Sequence, residues 1–160
     1  MEILNLLYAC MVLNIVGPSI ICAQHRSHAD LLHECSKKSI ERAEEDANVI
    51  FTGTIRDLYK DWDHPKMLKA NVEVKRVMKG NNVINTIPAV ASSNNLPWGR
   101  KTVAVDGIGD PHICDSFARK YDTRIFLLVK DEQGALKLNS SLVRLTLNNI
   151  IRADAAVQGI

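Results

Sequence analysis

Carboxylate side chains are the first candidates for acid–base chemistry in this sequence. Asp61 and Asp63 flank Trp62, and in an extended segment they would point to opposite sides, so they form a poor catalytic pair. The 160-residue chain contains no serine-elbow motif, no His-Glu-x-x-His motif and no phosphate-binding loop. We therefore expect no catalytic residues, no enzymatic activity and no cofactor.

Histidines are the next candidates, as metal ligands. Three of the five histidines, His25, His28 and His33, lie close together near the amino terminus. Their spacings of three and five residues within a polar segment define no coordination geometry. We therefore expect no metal site.

The first 23 residues have the pattern of a secretory signal peptide. Residues 3–21 are mostly apolar, and Ala23 offers a small residue at a cleavage point before Gln24. Because no Lys or Arg precedes this run, an uncleaved signal anchor is the alternative, but Gly17-Pro18 breaks the run short of the ~20 apolar residues of a membrane span. We expect a signal peptide at residues 1–23, a flexible leader at 24–34, a secreted domain at 35–160 and no membrane span.

Cysteine usage agrees with an oxidising compartment. Four cysteines are encoded, and cleavage after Ala23 removes Cys10 and Cys22, so Cys35 and Cys114 remain. An isolated pair in a secreted domain is most simply a disulfide. In the chain-entropy model, a bridge over such a long loop stabilises the fold by about 4–5 kcal/mol.

The charge balance argues against nucleic acid as a partner. The formal net charge is +2, and the basic residues fall into short separated groups at residues 75–79, 100–101 and 119–120. Aromatic residues are not interleaved with them, as they are in proteins that bind single-stranded nucleic acid. Solvated surface is the simplest interpretation of these groups, with weak heparin-like contacts as the alternative.

The carboxyl-terminal segment, residues 146–157, is predicted to be a helix with more apolar surface than docking requires. At about 100° per residue, two apolar stripes form. One stripe contains Leu147, Ile151 and Ala155, and the other contains Ile150, Ala153 and Val157. One stripe is enough to dock the helix, so the second either packs into the same core or contacts the helix or groove of another protein.

The remaining periodicities predict a small β-barrel. A surface helix is expected at residues 36–47, and strands at residues 49–55, 68–78, 101–106, 122–130 and 136–138. Gly53 inside the first strand suggests a bulge. Residues 83–91 are apolar but contain Pro88, so a strand there is poorly marked. Five short strands between terminal helices predict a mainly β fold, a closed barrel of the OB type.

One modification motif follows the last predicted strand. Asn139-Ser140-Ser141 is an N-glycosylation sequon, which is meaningful in a secreted chain. Asn139 is therefore a candidate glycosylation site.

Four ordered segments resemble one known family. They are ANVIFTGT at 47–54, GIGDPHICD at 107–115, DTRIF at 122–126, and LNSSL at 138–142 running on to Thr146-Leu147. Together they are similar to the laminin-binding N-terminal domain of agrin, over nearly all of the predicted mature chain. The resemblance implies an OB-fold barrel with flanking helices, like that of the tissue inhibitors of metalloproteases and the netrin-like modules.

The resemblance also implies a partner and a location. In the family, apolar residues of the C-terminal helix contact the coiled coil of laminin through its gamma chain, and the aligned positions are Ile150 and Val157. Ala153 lies on the same stripe and completes the expected laminin-binding set. A secreted glycoprotein of the extracellular matrix and basement membrane is implied, and full-length agrin takes part in receptor clustering at the synapse.

Two cysteines of the family are missing from this chain, which is consistent with a version of the domain that has one disulfide. The family has a cysteine where this chain has Ala156, and another near its mature start, where residues 24–34 have none. The alternative is a metalloprotease inhibitor of the same barrel type. That mechanism needs a mature amino-terminal cysteine, whereas the expected start is Gln24, and exposure of Cys22 would require cleavage after Ile21.

Overall fold

The computed structural model describes residues 35, 37–90 and 101–159. The predicted signal peptide, the leader and its three histidines lie outside the described residues. The described elements follow one another as α1 (Ile40–Asp46), β1 (Val49–Lys60), β2 (Leu68–Lys79), α2 (Asn81–Thr86), β3 (Thr102–Ile108), β4 (Thr123–Lys130), β5 (Leu136–Leu138), β6 (Val143–Arg144) and α3 (Leu147–Gln158).

Five of these strands close into a barrel. β1 pairs antiparallel with β2, β2 with β3, and β4 with β5, while β3 and β5 run parallel. The antiparallel pairing of β1 with β4 closes the circuit, so β1 has a neighbour on both sides. This confirms the predicted mainly β fold and its OB-type barrel with flanking helices. The short β6 adds to β4 as a sixth strand.

The long first strand coils around the barrel at Gly53. The pairing of β1 with β2 shifts register between Thr52 and Gly53, which confirms the predicted irregularity. A Cβ at position 53 would lie 2.6 Å from Val72 Cγ1 and 2.9 Å from a ring carbon of Phe51. The close approach of the two strands therefore requires glycine at this position.

The interior of the barrel forms one hydrophobic cluster. The rings of Phe51 and Phe126 stack at its centre, 5.3 Å apart, on paired positions of β1 and β4. The apolar residues Ile84 and Ile87 cover it from α2 and the residue after α2. The apolar residues at the start of the 83–91 segment therefore reach the core from a helix. The left-handed Gly80 (φ 76°) turns the chain out of β2 into that helix.

A second hydrophobic cluster lies on the outside of the barrel. Both terminal helices pack there against the outward-facing residues of β1 and β4. Its buried members are Ile40, Ala43, Ala47, Ile50, Ile125, Leu127 and Ala153. This cluster fixes α3, the helix that the sequence singles out, on the barrel surface.

Candidate protein-binding site

Local hydrogen bonds define both ends of α3. Thr146 precedes the helix in an extended conformation, and its Oγ1 accepts a hydrogen bond from the backbone N–H of Asn149 at 3.2 Å. At the other end Gly159 is left-handed, with φ 70°, and its N–H donates to the carbonyls of Ala155 and Ala156. Threonine as the N-cap and glycine after the last turn are preferred signals, so the sequence itself sets the length of this helix.

The inner face of α3 carries the three residues expected to bind laminin. Ala153 has 0% of its surface exposed and belongs to the second hydrophobic cluster. Ile150 and Val157 are partly buried and pack against the same cluster. Ala153 therefore packs α3 onto the barrel and α1 and has no exposed surface, whereas Ile150 and Val157 each keep part of the side chain at the surface.

The outer face of α3 carries the other apolar stripe. Leu147 is 75% exposed and Ile151 is 57% exposed, while Ala155 is partly buried. Leu147 and Ile151 are one helical turn apart, so their side chains lie side by side. With the exposed parts of Ile150 and Val157 they form an apolar surface along α3, which we call the α3 face.

Ion pairs on both sides of α3 hold it in place. The Arg152 guanidinium donates to both carboxylate oxygens of Glu41 on α1, at 2.7 to 3.0 Å. Arg76 of β2 donates to Asp154 at 3.1 Å. A backbone hydrogen bond and then the Arg152 guanidinium hold the pKa of Glu41 below its ordinary value. These pairs are exposed and contribute little energy each, but they set the orientation of the α3 face.

The disulfide fastens the chain ahead of α1. Cys35 and Cys114 are bonded, with their Cα atoms 5.0 Å apart, which confirms the predicted pair. Beside it, Lys37 donates to Asp115 at 2.9 Å, and this hydrogen bond lowers the pKa of Asp115. The bridge thus ties the start of the α1 region to the loop between β3 and β4.

A model of a known protein family matches most of the described fold. The model of the agrin NtA domain matches residues 41–159, which includes all six strands and α3. The chain belongs to the agrin NtA domain family. The resemblance seen in the sequence is therefore confirmed, and this family is one of binding modules. Among the described residues of this NtA domain, no helix has the length and apolar character needed to cross a membrane.

The loop carboxylates of this NtA domain do not form a catalytic pair. Asp61 is buried and accepts hydrogen bonds from the Asp63 backbone N–H and the His64 ring, both at 3.1 Å. Asp63 itself is exposed. Asp61 therefore organises the loop between β1 and β2. The amino-terminal residues on which the inhibitor hypothesis depends lie outside the described residues.

An acidic cavity of about 430 Å³ adjoins this loop. Asp61, Asp106, Asp131 and Glu132 are among its lining residues, and burial raises the pKa of Asp106. The Nζ atom of Lys69 lies 3.5 Å from Oδ1 of Asp61 and 3.6 Å from Oδ2 of Asp106. The Lys69 ammonium group therefore occupies the space between these two carboxylates. Within the described part of the chain, no group of acidic, His and Cys residues comes together as a metal site.

The predicted glycosylation site follows β5. Asn139 is partly buried, and its Nδ2 is inaccessible to solvent and lacks a hydrogen-bond partner within the described structure. N-glycosylation modifies this nitrogen, so a glycan requires the side chain to turn outward. Glycosylation of Asn139 stays a prediction.

The sequence does not reveal which stripe of α3 is buried, because both are apolar. Ala153 carries a usable signal, since a small side chain between Ile150 and Val157 allows α3 to approach its neighbours closely. Leu147 and Ile151, the most exposed apolar residues of the helix, belong to the stripe that was not expected to bind laminin.

Proposed function

We propose that this protein is an extracellular-matrix module that attaches to the coiled coil of laminin through the α3 face. The observation that carries the proposal is the exposure of Leu147 and Ile151 beside the partly buried Ile150 and Val157, on a helix that its own domain already holds in place. A helix with one face docked and an apolar surface left over is suited to pack against another helix.

The spacing of these residues suits a coiled-coil partner. Ile150 and Val157 are one heptad apart, and Leu147 and Ile151 lie three residues before and one residue after Ile150. Ile150 and Val157 repeat at the interval of a coiled-coil seam, and Leu147 and Ile151 lie on the adjacent stripe and widen the apolar surface. Ile150 and Val157 are the proposed anchors for the laminin gamma chain. Ala153 lies on the same stripe but is buried, so it packs α3 onto the barrel and does not contact the partner.

Membership of the agrin NtA family supports laminin as the partner and the basement membrane as the location. The disulfide between Cys35 and Cys114 is consistent with an oxidising extracellular compartment. The module is proposed to act by binding alone, with no catalytic step.

Alanine substitutions test the anchors. The Ile150→Ala, Val157→Ala double variant is expected to weaken binding to a laminin coiled-coil fragment by about tenfold to a hundredfold, because it removes apolar contact area at the proposed centre of the interface. Val143→Ala is the matched control, since Val143 is partly buried in the same cluster but lies on β6. Equal loss of affinity in the control would show that loosening of the cluster, and not loss of contact, explains the effect.

A second variant tests the outer part of the face. Leu147→Ser with Ile151→Ser leaves the buried cluster intact, since both side chains are exposed. Binding should weaken while the melting temperature stays close to that of the wild type. Full retention of binding would exclude these two residues from the interface.

A further inference from the structure

Two arginines face each other across a strand pair at the base of α3. Arg124 of β4 and Arg144 of β6 are direct partners in the antiparallel register. Side chains in such positions lie on the same face of the sheet within about 5 Å of each other at Cβ, and like charges there are destabilising. Asp122 accepts a hydrogen bond from Arg124 at 3.0 Å, but Arg144 forms no ion pair with any described residue.

Both arginines line a cavity of about 580 Å³. The other cationic residues that line it are Lys37, Lys38 and Arg152. One carboxylate, that of Asp115, also lines the cavity, and it is hydrogen-bonded to Lys37. Lys38 and Arg152 pair with Asp46 and Glu41, which do not line the cavity. The wall of the cavity therefore presents five cations and one anion.

Two buried hydrogen-bond donors in this wall lack a partner within the described structure. They are the Oγ of Ser141, a residue that is only 8% exposed, and the Nε of Arg124, and both atoms are buried. A buried donor without an acceptor costs about 1–3 kcal/mol, so such groups normally have a partner. Both atoms are closed to solvent as the side chains lie, so an oxyanion beside the Arg144 guanidinium would satisfy them once the two side chains turn toward it.

We propose that this cavity binds a sulfate group of an acidic polysaccharide. Arg124 Nε, Ser141 Oγ and the Arg144 guanidinium supply donors from three residues, which suits a tetrahedral oxyanion with several acceptor oxygens better than a planar carboxylate. The cavity is larger than a single sulfate ion and has room for the sugar that carries it. Asn149 and Arg152 of α3 line this cavity, but no residue of the α3 face does, so sulfate binding here does not require laminin.

Calorimetric titration at constant ionic strength tests the proposal on the full secreted chain. The probes are a sulfated heparin oligosaccharide, the same oligosaccharide after chemical desulfation, and inorganic sulfate. The sulfated oligosaccharide should bind with one site and the desulfated one should not. Equal binding of both oligosaccharides would overturn the assignment of sulfate, and an oligosaccharide no tighter than inorganic sulfate would overturn the assignment to a polysaccharide.

Arg144→Gln is the decisive variant, because it removes the unpaired guanidinium without touching the barrel core. It should weaken oligosaccharide binding by about tenfold, as expected for the loss of a charge-assisted contact. Lys60→Gln is the matched control, since it removes one charge from an exposed residue outside the cavity. Equal weakening in both variants would mean that general charge attraction explains binding, and the site would be rejected.

Thermal melting separates a binding role of Arg144 from a structural one. Without ligand, Arg144→Gln should melt no lower than the wild type, because the substitution relieves the repulsion from Arg124. The sulfated oligosaccharide should raise the melting temperature of the wild type but not that of the variant. A variant that melts lower and is still stabilised by the oligosaccharide would contradict the proposal. The Leu147→Ser, Ile151→Ser variant should bind the oligosaccharide normally, whatever its affinity for laminin.

Discussion

Ala153 and Ile151 show how position on α3 decides the role of a single residue. Ala153 is fully buried in the second hydrophobic cluster, whereas Ile151, two residues earlier on the same helix, is 57% exposed. A charge at position 153 would lie in an apolar environment without a partner. The two positions therefore offer a direct comparison between a structural and a surface site.

Ala153→Asp should destabilise the protein by about 3–5 kcal/mol, because an unpaired charge is buried. Ile151→Asp, the matched control, should change the free energy of unfolding by no more than about 0.5 kcal/mol. Denaturant unfolding followed by circular dichroism measures both. Similar stability of the two variants would show that α3 is not held on the barrel as the structure has it.

Some residue-scale features can be predicted from sequence and others cannot. The disulfide could be predicted because only Cys35 and Cys114 remain after the expected cleavage, so there is a single possible pair. The cavity beside Arg124 and Arg144 could not, because these residues become neighbours only through the register of β4 and β6. Charges that are distant in sequence give no local signal of their proximity.

At the scale of elements, α3 is held by α1, and the disulfide precedes α1. The bridge between Cys35 and Cys114 closes a loop with a sequence separation of 79 residues. Its loss would release the segment ahead of α1, although the hydrophobic contacts of α1 would remain.

The Cys35→Ser, Cys114→Ser double variant should lose about 4–5 kcal/mol of stability, because the unfolded chain gains the entropy of the opened loop. Chemical denaturation of the oxidised wild type, the reduced wild type and the variant measures the effect. The reduced wild type should match the variant. An unchanged midpoint in both would show that the bridge does not constrain the unfolded chain.

Glu41 of α1 gives a pH dependence, because a backbone hydrogen bond and then the Arg152 guanidinium of α3 lower its pKa. The pKa of Glu41 is lowered in the folded state from its ordinary value of 4.5, so the unfolded state binds the proton more readily. The contribution of Glu41 to stability is therefore complete above pH 4.5 and is lost as the pH falls through the folded pKa.

Comparison with Glu41→Gln isolates this contribution from those of the other carboxylates. The difference in free energy of unfolding between wild type and variant should be largest near neutral pH and shrink below about pH 4.5. Denaturant unfolding curves of wild type and variant, recorded from pH 7 to pH 3, measure this difference. A difference that grows on acidification would contradict the lowered pKa of Glu41 in the folded state.

Element boundaries followed the sequence closely where the hydrophobic period was clear. The fourth strand was expected at residues 122–130 and lies at Thr123–Lys130, and Thr146 and Gly159 mark the ends of α3. The poorly marked strand expected at residues 83–91 was wrong, because the segment begins in the helix α2 (Asn81–Thr86) and a short apolar run does not by itself distinguish a strand from a helix. Gly80 is left-handed where β2 passes into the helix, and a Cβ there would lie 2.3 Å from the Asn48 carbonyl oxygen, a constraint that no local pattern shows.

At the scale of the whole molecule, closure of the barrel leaves α3 outside. The pairing of β1 with β4 completes the circuit, so the helices cover the outer surface and not an open sheet edge. The class of barrel could be predicted from strand number and length. The orientation of α3 could not, because its two apolar stripes are equivalent until the position of the barrel surface is known.

The central claim is that this NtA domain attaches to laminin through α3. The most direct measurement is calorimetric titration of the purified chain with a laminin coiled-coil fragment that contains the gamma chain, beside an unrelated coiled coil of equal length. We predict saturable binding to the laminin fragment alone, weakened about tenfold to a hundredfold in the Ile150→Ala, Val157→Ala variant but not in Val143→Ala. Absence of binding, or equal binding to both coiled coils, would contradict the claim.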